Sequence, residues 1–173
     1  VLTDAKYFKG SFDDLTAARD AVGLPVLEKD FVIDGFQVRE AAALGADAVL
    51  LIVRILSDEE LAALYGLAKS LGLGCLVEVH SRDDLARALD ISPVLIGINN
   101  RDLSTFNVDI RNTLDLMEMI TPAVKVVSQS GISRPDEALE LYRAGVAAIQ
   151  VGESIMRAED PGEKIRELLS LID

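Results

Sequence analysis

Apolar residues arrive in short continuous runs, at 1–3, 25–31, 48–53, 74–80, 95–100, 125–130 and 148–152. Continuous rather than alternating apolar character predicts parallel strands covered on both faces. Between the runs, apolar positions recur every three or four residues. That predicts amphipathic helices over 11–21, 35–44, 58–71, 81–89, 113–120, 135–144 and 161–172. Ser11 and Ser81 stand where N-caps belong, and acidic residues follow Ser81 in the first turn. Leu44-Gly-Ala-Asp, Leu71-Gly-Leu-Gly and Ala144-Gly-Val-Ala end three helices with a residue suited to a left-handed cap, and each leads into the next run.

Strand starts recur at roughly two dozen residues, the length of a strand–helix unit. The expectation is an α/β fold of the (β/α)8 TIM-barrel type, truncated to about seven βα units. No Pro/Gly/Ser-rich linker divides the chain, so residues 1–173 are expected to form a single, incomplete barrel domain. An open doubly wound sheet is the structural alternative. Two late turns favour the barrel: Val126-Val-Ser-Gln-Ser-Gly-Ile-Ser133 and Ile149-Gln-Val-Gly-Glu-Ser-Ile155. Each closes an apolar run with Ser and Gly and opens into a helical pattern. Backbone N–H groups at such turns suit a phosphate, and the loops after barrel strands seven and eight often share one. Either turn alone is as readily a strand end where glycine permits close packing.

The strand ends are unusually polar. Lys29 closes the second run; a lysine partly stripped of water gives up a proton more readily, which suits general acid work. Pairing with Asp30, or snorkelling, is the plainer role for Lys29. Glu78 lies inside the fourth run, where a carboxylate is costly without a partner. In a barrel it can point into the mouth and serve as a general base, or form a structural ion pair with Lys29. Asn99 and Arg101 stand at the end of the fifth run and can orient a substrate through hydrogen bonds and charge, although a solvated loop arginine is the bland reading of Arg101.

Composition narrows the partners. The chain is 50% hydrophobic and 27% charged, an ordinary soluble composition. A formal net charge of -12 argues against nucleic acid and membrane surfaces, but not against an anionic substrate bound by a few amides and one cation. Cys75 is the only cysteine, so no intrachain disulfide forms, and a buried thiol in a cytoplasmic setting is expected. His80 is the only histidine, which excludes a histidine-rich metal site. No signal peptide and no apolar run of membrane-spanning length is present in the sequence. The chain begins without Met, inside an apolar run, as a processed, truncated or engineered chain, or a part of a longer one, would.

Together these residues resemble indole-3-glycerol phosphate synthase, a (β/α)8-barrel family of tryptophan biosynthesis. The strings that carry the resemblance are Tyr7-Phe-Lys-Gly-Ser11, Leu24-Pro-Val-Leu-Glu-Lys-Asp-Phe-Val-Ile-Asp34, Val49-Leu-Leu-Ile-Val53, Leu76-Val-Glu-Val79, Gly97-Ile-Asn-Asn-Arg-Asp-Leu103, Ser130-Gly-Ile132 and Val151-Gly-Glu-Ser-Ile-Met156. The resemblance implies a carbon–carbon lyase. It closes and decarboxylates 1-(2-carboxyphenylamino)-1-deoxyribulose 5-phosphate to indole-3-glycerol phosphate. By motif, Lys29 is the general acid, Glu78 an acid/base, and Asn99 a third catalytic-site residue that positions substrate. Phe8, Phe31, Leu50, Arg101, Leu103 and Gln129 are implied to bind substrate. Ser130, Gly131, Gly152 and Glu153 are implied to hold the phosphate, Glu153 through its backbone N–H because its side chain would repel the ligand. The resemblance implies no metal and no organic cofactor.

Two departures stand out. The family carries a further strand, with a second catalytic lysine, before the position of Val1; without it the isolated chain is expected to turn over poorly and to self-associate through open barrel edges. Where the family has Glu before Ser130, this chain has Gln129, which keeps shape and hydrogen bonding but not charge. A non-catalytic barrel fragment or engineered scaffold that retains the phosphate site is the rival reading. Phosphoribosylanthranilate isomerase shares the phosphate turns but uses a Cys and Asp pair at strand ends, and Cys75 stands at the start of its run.

Overall fold

The computed structural model describes residues 1–102 and 107–172. The chain forms two compact units, residues 1–78 with 87–93, and residues 79–86 with 94–173. Both repeat one theme, a parallel strand followed by a helix.

In the first unit α1 (Phe12–Ala21) precedes β1 (Leu27–Glu28), α2 (Gly35–Ala43), β2 (Ala48–Ile52), α3 (Asp58–Ser70) and β3 (Gly74–Val79). β1 pairs parallel with β2, and β2 with β3, in the registers Glu28↔Val49 and Ile52↔Glu78. Val49, Leu50 and Leu51 are fully buried, which is why the β2 run shows no alternation. Helix starts are capped as the sequence signals. Ser11 Oγ accepts the Asp14 N–H at 3.2 Å, and Ser57 with Glu60, like Asp34 with Gln37, forms a capping box.

Three details differ from the sequence reading. Residues 1–3 are not a strand: Leu2 forms an isolated parallel bridge with Lys29, whose N–H donates to the Val1 carbonyl at 2.7 Å. The run at 25–31 yields only two strand residues. Pro25 lacks an N–H, and the Asp30 carboxylate takes the Phe31 N–H at 2.6 Å, so the ladder ends on both sides. After β2 the chain enters a 3-10 turn, Val53–Ile55. Arg87 pins that turn by donating to the Val53 and Leu56 carbonyls and to Asp58.

Helix α4 (Arg82–Asp90) follows β3, and the second unit contains β4 (Leu95–Asn99), α5 (Arg111–Met117), β5 (Lys125–Gln129), α6 (Pro135–Arg143), β6 (Ala148–Gln150), the short α7 (Glu153–Met156) and α8 (Pro161–Leu169). β4, β5 and β6 are parallel neighbours, and Asn99, Gln129 and Gln150 share one register level at their C-terminal ends. α5 starts two residues before the predicted 113, because Asp109 accepts the Arg111 N–H at 2.9 Å. A core cluster of this unit joins Ile132, Ala138, Leu141, Val146 and Leu168. Ser81 caps the helix that follows it, α4, reciprocally with Asp84, each accepting the other's N–H at 3.1 Å.

Candidate active site

In the first unit, the acid–base candidates meet. β1 carries Lys29 just past its end and β3 carries Glu78 near its end. Lys29 Nζ donates to Glu78 Oε2 at 3.4 Å; the lysine side chain is 22% exposed and the glutamate 6%. The lysine therefore keeps an opening to solvent while the carboxylate is nearly sealed. Phe8 stacks on Phe31 with ring centres 4.8 Å apart and planes 17° apart, and Tyr7 meets Phe31 edge-on at 5.6 Å. Lys29 Nζ stands 5.7 Å from the Phe8 ring centre. An aromatic wall thus adjoins an ammonium–carboxylate pair. Leu50 is fully buried within β2.

Thr3 and Asp30, which no motif in the sequence marks as site residues, hold this end of β1. The Thr3 hydroxyl donates to Asp30 Oδ2 at 2.8 Å and lies 3.4 Å from Glu28 Oε1. Glu28 points into a sealed environment, and burial first, then the Asp30 charge, pushes its carboxyl up to about 7.

The second unit gathers the remaining candidates at the C-terminal ends of β4, β5 and β6. Asn99 Oδ1 accepts the Arg101 N–H at 3.0 Å, and the Asn99 carbonyl accepts from His80 Nδ1 and Asn112 Nδ2. Arg101 bridges to Val108, and its guanidinium reaches Glu153 at 3.1 Å. Gln129 is buried and donates through Nε2 to Gln150 Oε1 at 2.6 Å. Leu103 lies outside the described residues.

Asn100 organises these loops, and its neighbour Asn99 had hidden it. Asn100 is buried; its Nδ2 donates to Ser128 Oγ and to the Ser130 carbonyl, both at 3.0 Å. Its Oδ1 accepts the Thr113 hydroxyl at 2.8 Å, and Thr113 shares a further hydrogen bond with Ser128. This closed polar ring leaves its members satisfied without water and fixes the turn that carries Ser130.

That turn is strained. Ser130 has φ +68 and Gly131 φ +76, and a Cβ at Gly131 would collide with Val108. A non-glycine residue held in this region implies a local demand on the backbone. Ser154 Oγ donates to the Ile132 carbonyl at 3.0 Å, tying this turn to the one at Gly152. A Cβ at Gly152 would meet nothing within 4 Å, so the space beside that turn is open. Gly131→Ala is expected to destabilise the protein by about 1–2 kcal/mol from backbone strain alone, with the Val108 collision adding to it. Urea unfolding measures the loss, and a change below a few tenths would mean the turn relaxes freely.

Among the described residues, no group of three or more His, Cys, Asp or Glu side chains is placed to hold a metal ion. Among the same residues, no helix is long and apolar enough to cross a membrane.

The chain aligns structurally with the crystal structure of 3-hexulose-6-phosphate synthase from Salmonella typhimurium at a TM-score of 0.82, covering 99% of this chain and 84% of that one. At 16% identity this shows the fold alone: an α/β fold of the TIM-barrel type. Residues 1–168 match the family model for indole-3-glycerol phosphate synthase, and the chain belongs to that family. It is 52% identical over 171 residues to the indole-3-glycerol phosphate synthase of Aquifex aeolicus, covering 98% of this chain and 66% of that protein. The corresponding enzyme of Laribacter hongkongensis is 47% identical over 171 residues, with 98% and 65% covered. The chain thus spans slightly less than two thirds of the length of these relatives.

Proposed function

We propose that this chain supplies the acid–base, substrate-positioning and phosphate-binding residues of an indole-3-glycerol phosphate synthase. The carrying observation is the Lys29–Glu78 pair beside the stacked Phe8 and Phe31 rings. A carboxyphenyl ring suits such an aromatic wall. The ring carbon bearing the carboxylate attacks the ribulose carbonyl, and Lys29 gives its proton to the carbonyl oxygen, which becomes a hydroxyl. The carboxylate then leaves as CO2 and returns its electron pair to the ring. The hydroxyl takes a proton supplied from solvent and departs as water, Glu78 takes the proton from the adjacent methylene carbon, and the indole double bond forms. No redox partner enters this sequence.

In the same reading Asn99, Arg101 and Gln129 orient the substrate, and the backbone of Ser130, Gly131, Gly152 and Glu153 receives its phosphate. The open space beside Gly152 and the constrained Ser130 turn support that assignment. The test is the fluorescence of indole-3-glycerol phosphate formed from the carboxyphenylamino-deoxyribulose phosphate. It is run on the 173-residue chain alone and on the chain joined to the segment that the resemblance places before Val1. Turnover in either supports the reading. Tight substrate binding with no turnover in both overturns it in favour of a non-catalytic scaffold.

Self-association of the isolated chain belongs to the same proposal, because an unpaired strand edge offers a row of free hydrogen-bonding groups. Sedimentation should show dimers or larger species as concentration rises. A single monomer boundary at high concentration removes that part of the proposal.

A further inference from the structure

Resting on the phosphate site just proposed, we infer that Arg101 is a charge-exchange residue. Glu153 holds its guanidinium in the free protein, a phosphate monoester takes it over, and Arg157 keeps the displaced carboxylate neutralised.

Three side chains carry the inference. Arg101 Nη2 lies 3.1 Å from Glu153 Oε2, and Arg157 Nε lies 3.1 Å from Glu153 Oε1. Each guanidinium thus holds a different oxygen of one carboxylate. The cluster sums to one positive charge. With Glu153 alone the turn would carry a bare negative charge beside the amides assigned to a phosphate. The geometry instead cancels that charge twice.

The cluster is also built to let go. Side-chain exposures of 32% for Arg101 and 62% for Glu153 mean that water competes with the ion pair. A phosphate dianion carries more charge than a carboxylate and presents three oxygens to the planar fork of a guanidinium. Arg101 is meanwhile fixed at its backbone by Asn99 and by the bridge to Val108, so only its side chain must turn. Arg157 sits four residues from Glu153 and retains it across one helical turn. Once Arg101 leaves, Arg157 alone prevents Glu153 from repelling the ligand.

The experiment is calorimetric titration of the 173-residue chain with inorganic phosphate at fixed low ionic strength, on the wild type, Glu153→Gln, Arg157→Gln and the double variant. These exposed side chains can be replaced with little effect on folding, and thermal melts check that. Glu153→Gln is expected to bind phosphate about 2–5-fold more tightly, because Arg101 is already free. Arg157→Gln is expected to bind it more weakly by a similar factor. In the Glu153→Gln background the Arg157 substitution should have no further effect, since no carboxylate remains to neutralise. Unchanged or weaker binding by Glu153→Gln overturns the inference and makes Glu153 a positioning residue for Arg101. An equal loss from Arg157→Gln in both backgrounds overturns it too. Absence of phosphate binding in all four proteins overturns the phosphate site itself and the inference with it, whereas binding in the wrong order of affinities overturns the inference alone.

Discussion

Glu78→Gln is expected to lower the rate of indole-3-glycerol phosphate formation by about 10²–10⁴-fold, the usual loss when an acid/base group is removed. The side chain keeps its shape and can still accept a hydrogen bond from Lys29, 3.4 Å away in the native protein. What it loses is the capacity to take a proton. The loss should therefore fall on kcat, with KM much less affected, because Glu78 is assigned no contact that holds the ground-state substrate. Folding should suffer less than for a sealed pair that loses one partner, since the Lys29 side chain is 22% exposed and keeps contact with water. Steady-state kinetics with a thermal melt separate the two effects. A variant that melts normally and retains turnover within threefold would show that Glu78 is a structural ion-pair partner and not the base.

The second large effect is on stability, at a residue outside the proposed chemistry. Glu28 is 2% exposed, and its Oε2 has no hydrogen-bond partner among the described residues. Its carboxyl is pushed from 4.5 up to about 7, chiefly by burial and secondarily by Asp30, against the opposing Thr3 hydroxyl. The folded state therefore binds this proton at pH values where the unfolded chain has released it. Stability from this group is fully present below about pH 4.5 and is lost as pH rises through about 7. The span corresponds to about 3 kcal/mol. Urea unfolding at pH 5 and pH 8 should show the wild type less stable at the higher pH. Glu28→Gln should recover most of that difference at pH 8, because a neutral amide pays no cost of ionisation. Identical pH profiles for the two proteins would mean that Glu28 titrates alike folded and unfolded.

Much of this architecture was legible because two signals agreed. The β2 and β3 runs are apolar without alternation, and in the first unit their residues are buried on both faces. Gly45, Gly72 and Gly145, read as helix ends, adopt φ of +84, +79 and +88. The pairing of Lys29 with Glu78 was also readable in part. A charged residue inside or closing an apolar strand needs a partner, and each supplies the other's need. Their proposed chemical roles came from the family resemblance rather than from this rule.

What escaped was set by register and tertiary contact. Asn99 and Asn100 are adjacent and chemically identical, so nothing in their order reveals which is sealed into the ring with Ser128 and Thr113. Glu28 stands in the string Leu-Glu-Lys-Asp, where it looks like one more charge at a strand end; only its alignment with Val49 places it in the interior. The shortness of β1 depends on one Asp30 hydrogen bond, which composition cannot foretell. Arg157 looks like an ordinary surface arginine until Glu153 is seen between it and Arg101.

The lone thiol offers a different kind of access to the molecule. Cys75 is buried in β3, and its environment pushes the thiol up to about 11, so at neutral pH the reactive thiolate is both scarce and shielded. With no other cysteine in the sequence, any thiol-directed label reports on this one strand. The rate at which a thiol reagent adds mass to the native chain is then a clock for the opening of β3. It runs without an engineered probe and can be read by mass spectrometry on whole, unfractionated protein.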